Sequence, residues 1–351
     1  MSQARSAPHV TLDGARFLFD GRPTNPGSSC EGLLMNCRMV QATFDDLNPE
    51  THSRWKYPDG MPFDAEENTR RFCAMVPTYA ECGLNAVTIN LQGGSPQGYS
   101  KHQPWHNSAY TADGSLRTEY LRRTSMVLDE CGKHGIAVIL GLFYFGQDER
   151  LADEEAVCRA VDGVVDWLLQ RGDPHVLIEI ANESDIDDCG FPGNFGYEHL
   201  ILRANPRGHE LIKRVQQRSQ GKLLCSTSYR GGGRLTPNVA EAADFILLHG
   251  NAVDDPEELR KLIHDARKCE GYHGQPIVIN EDDHFDFDKP NSNMQTAIDE
   301  GVGWGYFDYR MDGEGYEAGY QSVPTDWSAD HERKRGFFEK LRAVTGQGAG
   351  R

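Results

Sequence analysis

Several signals that commit a chain to one class are missing from these 351 residues. No apolar run approaches the ~18 residues a bilayer span needs. The opening MSQARSAPHVTLDG carries no apolar stretch of the secretory kind, so no membrane association is expected and a cytoplasmic location is. No two cysteines stand in CxxC spacing. The nine form an odd set scattered through apolar segments (Cys37, Cys73, Cys82, Cys131, Cys158 and Cys225 among them), which reads as packed, reduced thiols and not as a disulfide framework or a zinc site. HExxH and EF-hand spacings are absent, so no metal or cofactor is assigned. Positive charge is scarce: 36 Lys and Arg against 53 Asp and Glu leave a net charge of −17, with no compact basic stripe, which argues against a nucleic-acid partner. Oligomeric state leaves no mark in the sequence.

What is present is an alternation of short apolar runs with amphipathic stretches of helical length, the pattern of an α/β protein with parallel strands. VTLDGARFLFDGRP reads as a hairpin turning at Asp13-Gly14, within a lead-in over 1–30, and would cap a barrel floor. Strands are expected near 32–40, 85–91, 136–142, 176–181, 222–227, 244–250, 276–281 and 302–310. Helices are expected near 65–82, 117–134, 153–170, 207–219, 237–242, from Pro256, near 291–300 and near 330–344, with 345–351 a flexible tail. Asp64 and Asp255-Pro256 are helix-start signals. Eight strand–helix units, with no glycine-rich phosphate loop after the first strand, favour a single (β/α)8 TIM barrel over residues 1–351 against an open doubly wound sheet.

In such a barrel the chemical groups sit at the C-terminal ends of the strands. By that rule strand one delivers Asn36 and Arg38, strand two Asn90 and Gln92, strand four Asn182 and Glu183, strand six His249 and Asn251, strand seven Glu281 followed by Asp282, Asp283 and His284, and strand eight Asp308 and Arg310. Strict alternation sets Ile277, Ile279 and Glu281 on one face and Glu179, Ala181 and Glu183 on one face. Two carboxylates converging from strands four and seven, about 5–5.5 Å apart, suit double displacement at a glycosidic carbon. Glu281 would attack as the anion. Its charge, with burial, would raise the pKa of Glu183, which donates to the leaving oxygen and later activates water. In the strand-two loop, Trp105, His106 and Asn107 could present a ring and lateral donors to a pyranose, or Trp105 could simply anchor the loop. Trp304 could touch a sugar or fill the barrel wall. Arg38, Lys101 and Arg310 could form a cationic spot for an acidic sugar or pair with neighbouring acids.

Ile-Glu-Ile-Ala-Asn-Glu (178–183) and Pro-Ile-Val-Ile-Asn-Glu (276–281) resemble the strand-four and strand-seven signatures of the clan of retaining glycoside hydrolases that includes the family 5 cellulases and mannanases. His249 falls where many family 5 members carry a strand-six His. The resemblance implies Glu183 as acid/base, Glu281 as nucleophile, Asn182 as a hydrogen-bond partner of the sugar 2-hydroxyl, a carbohydrate substrate and no cofactor. The chain departs from the family pattern in three ways. Thr88 stands where family 5 has a strand-two Arg supporting the nucleophile, a role open to Arg38 or Arg310. Tyr144 stands in the segment after strand three where a His-His feature is usual. Asn251 replaces the Tyr two residues beyond the strand-six His. The leading expectation is a retaining hydrolase of oligosaccharides or small glycosides, exo-acting because long loops follow strands one and two. A non-catalytic sugar-binding barrel, favoured by the missing Arg, and a metal-dependent hydrolase are the alternatives.

Overall fold

A computed structural model describes residues 7–100, 102–186 and 196–347. Lys101 and residues 348–351 of the expected tail lie outside the described residues; Thr345, at the start of that tail, is still helical. The chain opens with an antiparallel sheet of β1 (Val10–Asp13), β2 (Arg16–Phe19) and β3 (Arg22–Pro23). Asp13 pairs with Arg16, so the two-residue turn is Gly14-Ala15, one position later than the expected Asp13-Gly14. Gly14 takes φ +56°, a left-handed conformation open to glycine without strain.

Eight parallel strands then form the barrel: β4 (Met35–Arg38), β5 (Ala86–Asn90), β6 (Ala137–Tyr144), β7 (Val176–Asn182), β8 (Cys225–Ser226), β9 (Ile246–His249), β10 (Ile277–Asp282) and β11 (Gly303–Tyr306). They pair in chain order, β11 closes back onto β4, and the seam beside the short β8 is bridged by Gly231 and His249. Helices α1 (Ala65–Glu81), α2 (Thr118–Lys133), α3 (Glu154–Arg171), α4 (Gly208–Ser219), α5 (Pro237–Ala242), α6 (Pro256–Arg267), α7 (Asn293–Asp299) and α8 (Glu332–Thr345) lie between and after the strands. Asp64, Asp153, Asp255 and Ser292 cap α1, α3, α6 and α7 by accepting from backbone N–H groups of the first turn, each bond stabilising its helix by about 1 kcal/mol.

Inward and outward residues separate cleanly. Val10 and Phe17 of the hairpin pack with Leu34, Ala86, Ala137, Ile139, Leu177, Phe245, Leu247 and Val278, the lowest inward layer, so the hairpin stoppers the floor. Above it lies a polar layer: Asn36, Thr88 and Asn280 bond one another at 3.0–3.2 Å, and Asn280 Nδ2 reaches Glu179 at 3.5 Å. The intervening residues Cys37, Val87, Val138, Ile178, Ile246, Ile279 and Trp304 face the helices in the main hydrophobic cluster. Trp304 is therefore wall packing: its ring meets Phe337 of α8 and its Nε1 donates to Asp282 at 3.0 Å. The inward positions of β11 are Gly303 and Gly305. A Cβ on either would stand 2.4 Å from a backbone oxygen, of Leu34 and Asn280 respectively, so only glycine lets β11 close against its neighbours.

Candidate active site

Strict alternation fails where it matters most. Ile277 and Ile279 face outward, while Val278 and Asn280 face the barrel axis. Glu281 also reaches the barrel mouth because β10 carries one extra residue. Between Ile279 and Glu281 the register against β9 advances by one partner, and between Ile279 and Asp282 the register against β11 slips in the same sense. A β-bulge re-aims the side chain that follows it. Glu183 sits just past β7 with φ +51°, a left-handed conformation costing a non-glycine residue roughly 1 kcal/mol or more. Ser228, beyond β8, holds it there: its hydroxyl accepts from Glu183 N–H at 2.9 Å, and its carbonyl accepts from Ser184 N–H at 2.9 Å.

The two carboxylates meet. One oxygen of each and a ring nitrogen of His249 all lie within 4.8 Å of one another. His249 Nδ1 is 3.0 Å from Glu183 Oε1 and 3.8 Å from Glu281 Oε2. Arg38, fully enclosed, extends from β4: Nε meets Glu281 Oε2 at 2.8 Å, Nη2 donates to Asn182 Oδ1 at 2.6 Å, and Nη1 stands 3.7 Å from Glu179 Oε2. Asn251 Nδ2 donates to Glu281 Oε1 at 2.7 Å and to the Tyr99 hydroxyl at 2.5 Å; that hydroxyl donates to Asp283 Oδ2 at 2.8 Å.

The environments of the pair differ. Burial pushes Glu183 up to about 7, with Arg38 and Arg230 pulling only weakly the other way. Of the two causes expected from the sequence, burial and the charge on Glu281, burial is the one that raises it. Burial also raises Glu281, with His249 and Arg38 opposing it, Glu183 adding to it and the Asn251 amide opposing it. Two donors in direct contact, Arg38 Nε and Asn251 Nδ2, favour the ionised form of Glu281, whereas among the described residues Glu183 meets His249 and no arginine at hydrogen-bond distance. These contacts favour Glu281 over Glu183 as the ionised member of the pair. Burial lowers the pKa of His249, which stays neutral. His284 is raised to about 9 by its bond to Asp282 at 2.6 Å and by Asp254, so it is a cation at neutral pH.

The mouth opens into a pocket of about 730 Å³ lined by Glu183, Glu281, Tyr144, Asn251, Asp283 and His284 of the expected residues. Tyr99, Ser95, Phe145, Ile186, Arg230, Asp254 and Phe307 also line it and were not anticipated. The aromatic content of the strand-two loop was a signal for Tyr99; the others follow no pattern in the sequence. Asn182 and His249 stand beneath the two acids.

Ten expected substrate contacts do not line this pocket among the described residues: Arg38, Asn182 and His249 are bonded to one or other of the acids or to each other, and the other seven are held elsewhere for physical reasons. Trp105 is fully buried against Trp55 in a satellite cluster with Phe44, Tyr57, Phe63 and Val323, as a loop anchor. The His106 backbone N–H donates to Asp46, and Asn107 bonds Gly93, Asp45 and Tyr120, so both brace the loop. Gln92 bonds Ser108 and the Gln147 carbonyl. Asn90 points into the barrel, where its amide has no partner. Asp308 is buried against Arg333 and Tyr306, and Arg310 is spent on the carbonyls of Gly315, Tyr316 and Pro324. With Arg310 turned away and Arg38 committed to two acids, the described residues form no cationic spot from this pair.

Glu183, His249 and Glu281, and separately Asp282, Asp283 and His284, are close enough to share a cation. In the first group Arg38 already neutralises Glu281; in the second the imidazolium of His284 occupies the centre of its acids. Each cluster thus carries its own cation, which disfavours a metal. The eight described cysteines are free thiols. No described helix is long and apolar enough to cross a membrane.

No family profile matches the chain, and no curated protein matches it in sequence. Its fold is that of many solved structures. These include an endo-1,4-beta-mannanase from Rhizomucor miehei (TM-score 0.58, 12% identity, 97% of this chain and 98% of that one) and a broad-specificity endoglucanase from Clostridium acetobutylicum (0.54, 14%, 92% and 99%). A third is a glycoside hydrolase family 5 enzyme from Prevotella bryantii B14, a mutant of which was solved with a xyloglucan tetradecasaccharide (0.55, 12%, 92% and 99%). At such identities the likeness establishes the TIM-barrel fold.

Proposed function

We propose that this chain is a glycoside hydrolase, a divergent relative of family 5, that works by double displacement with net retention. The observation that carries the reading is the convergence of Glu183 and Glu281, oxygens within 4.8 Å, with Arg38 bonded to Glu281 of the two. That spacing suits direct attack by a carboxylate and leaves little room for a water between the acids, as single displacement needs. Glu281, ionised, attacks the anomeric carbon; Glu183 gives its proton to the leaving oxygen, then takes one from the water that cleaves the ester. Arg38 supplies from strand one the support that family 5 draws from strand two, which removes the main argument for a non-catalytic barrel. Thr88, in the strand-two position, bonds Asn36 and Asn280 instead.

Exo action is supported by Tyr99, which lines the pocket and crosses from the strand-two loop to Asn251 and Asp283 beyond strands six and seven. An oligosaccharide or small glycoside is the substrate class, consistent with the oligosaccharide bound by the Prevotella bryantii neighbour. Free thiols, buried or half-buried among the described residues, fit a reducing, cytoplasmic setting.

The test is a panel of aryl glycosides and oligosaccharides with the anomeric product followed by NMR. Retained configuration is expected, with Glu281→Gln and Glu183→Gln each reducing kcat by about a thousandfold or more on unactivated substrates. Inversion, or an inert parent on every linkage, overturns the reading.

A further inference from the structure

Arg38 faces more acid than one nucleophile supplies. Around its guanidinium stand Glu281 from β10, Glu179 and Glu183 from β7 and its end, and Tyr144 from β6, with His249 from β9 against both catalytic acids. Glu179 is fully enclosed, two turns of the strand pleat below Glu183, and takes no part in the steps above. Its Oε2 and Arg38 Nη1 are both buried, without a hydrogen-bond partner among the described residues, and stand 3.7 Å apart. Its other oxygen receives only the long 3.5 Å bond from Asn280. Glu179 is thus an ion-pair partner of Arg38 that hydrogen bonds leave free to tighten.

We propose that Glu179 is a positioning residue that divides the charge of Arg38: it keeps Glu281 nucleophilic before attack and gives the guanidinium a partner while Glu281 is esterified. This rests on the retaining reading. In the first step a Glu281 oxygen forms a bond to the anomeric carbon, the bond to the leaving oxygen breaks with its electron pair, and that oxygen takes the Glu183 proton. Glu281 loses its charge, and Arg38 loses its directly bonded anion; Glu183, ionised by giving up its proton, acts on it only from a distance, and Glu179 at 3.7 Å is the carboxylate that can take over the ion pair. In the second step water bonds to the anomeric carbon and gives its proton to Glu183, while the ester bond breaks and its pair returns to Glu281. Arg38 is then shared by two carboxylates again. Removing the charge of Glu179 would leave Arg38 wholly to Glu281, stabilising the anion over the ester.

The test uses the full chain, with 2,4-dinitrophenyl glycosides of glucose, mannose, galactose and xylose in both anomers, and the matching 2-deoxy-2-fluoro glycosides to trap the ester by intact mass. In Glu179→Gln the acid limb of kcat/KM moves about one pH unit lower and ester formation slows about tenfold, since one unit is a tenfold change in the ionisation equilibrium. Glu179→Asp, whose carboxylate stands one methylene further away, falls between parent and Glu179→Gln, and it decides the matter alone if Glu179→Gln does not fold. A trapped ester in the parent with the acid limb unmoved or raised in these variants overturns this inference and leaves the retaining reading standing. No ester in the parent on any glycoside overturns both.

Discussion

At the scale of single residues the site is an arrangement of protons and charges. On the proposed mechanism Glu183, held at about 7 by burial, starts the reaction protonated, so kcat/KM should fall as pH rises through about 7. A pH profile on any turned-over glycoside checks this; a basic limb starting well above that range would separate Glu183 from the acid role. Arg38 is the other pivot. Arg38→Met would leave Glu179 and Glu281 as unpaired buried acids, and we expect it to lower stability by about 3–5 kcal/mol and kcat by about a hundredfold or more. Denaturant titration beside kinetics reads both. The sequence showed Glu183 and Glu281 because an acid ending an apolar strand is conspicuous. It left Arg38 and Arg310 indistinguishable, because partnership is decided by which strand end bends inward. Glu179 was visible on the face expected of it, but nothing in the sequence said that it would meet Arg38.

At the scale of elements the sequence was most legible. Asp64 and Asp255-Pro256 marked helix starts within a residue, because capping is chemistry local to the chain. The facing of β10 could not be read, because the extra residue between Ile279 and Glu281 changes the alternation without a glycine or proline to announce it. Trp105, His106 and Asn107 misled for a related reason: a loop's residue types suit sugar binding and loop bracing equally, and only the fold of the loop over Trp55 decides. The hairpin offers a test at this scale. Phe17, buried against Phe245 with ring centroids 6.0 Å apart, fills the floor. Phe17→Ala should cost about 3–5 kcal/mol in denaturant unfolding while KM stays unchanged, since the floor lies far below the mouth. A shift in KM would show that the floor and the site communicate.

At the scale of the whole molecule, stability should fall as pH rises from about 5 to about 8. Burial raises Glu183 and Asp148 to about 7 and Asp185 to about 6, so between their ordinary values and these the folded chain holds more protons than the unfolded one. By linkage that makes stability decrease with pH across the same window. His284, raised to about 9, acts in the same sense: its contribution is full below its ordinary value and fades as pH climbs towards about 9. Lys334, buried over the Tyr320 ring and lowered to about 8, opposes the trend only above that value. Thermal midpoints at about pH 5.5 and about pH 8 test the sign; a higher midpoint at the alkaline end would mean that surface ion pairs outweigh these buried groups.

The stoppered floor carries a last consequence. With Val10 and Phe17 packed into the floor, the proposed mechanism brings the departing alcohol, the incoming water and any competing acceptor through the mouth. The order of that traffic is set at the rim, where Tyr99 stands across the threshold. Whether the captured sugar is handed to water or to another alcohol would then be governed by how fast the first guest clears the door.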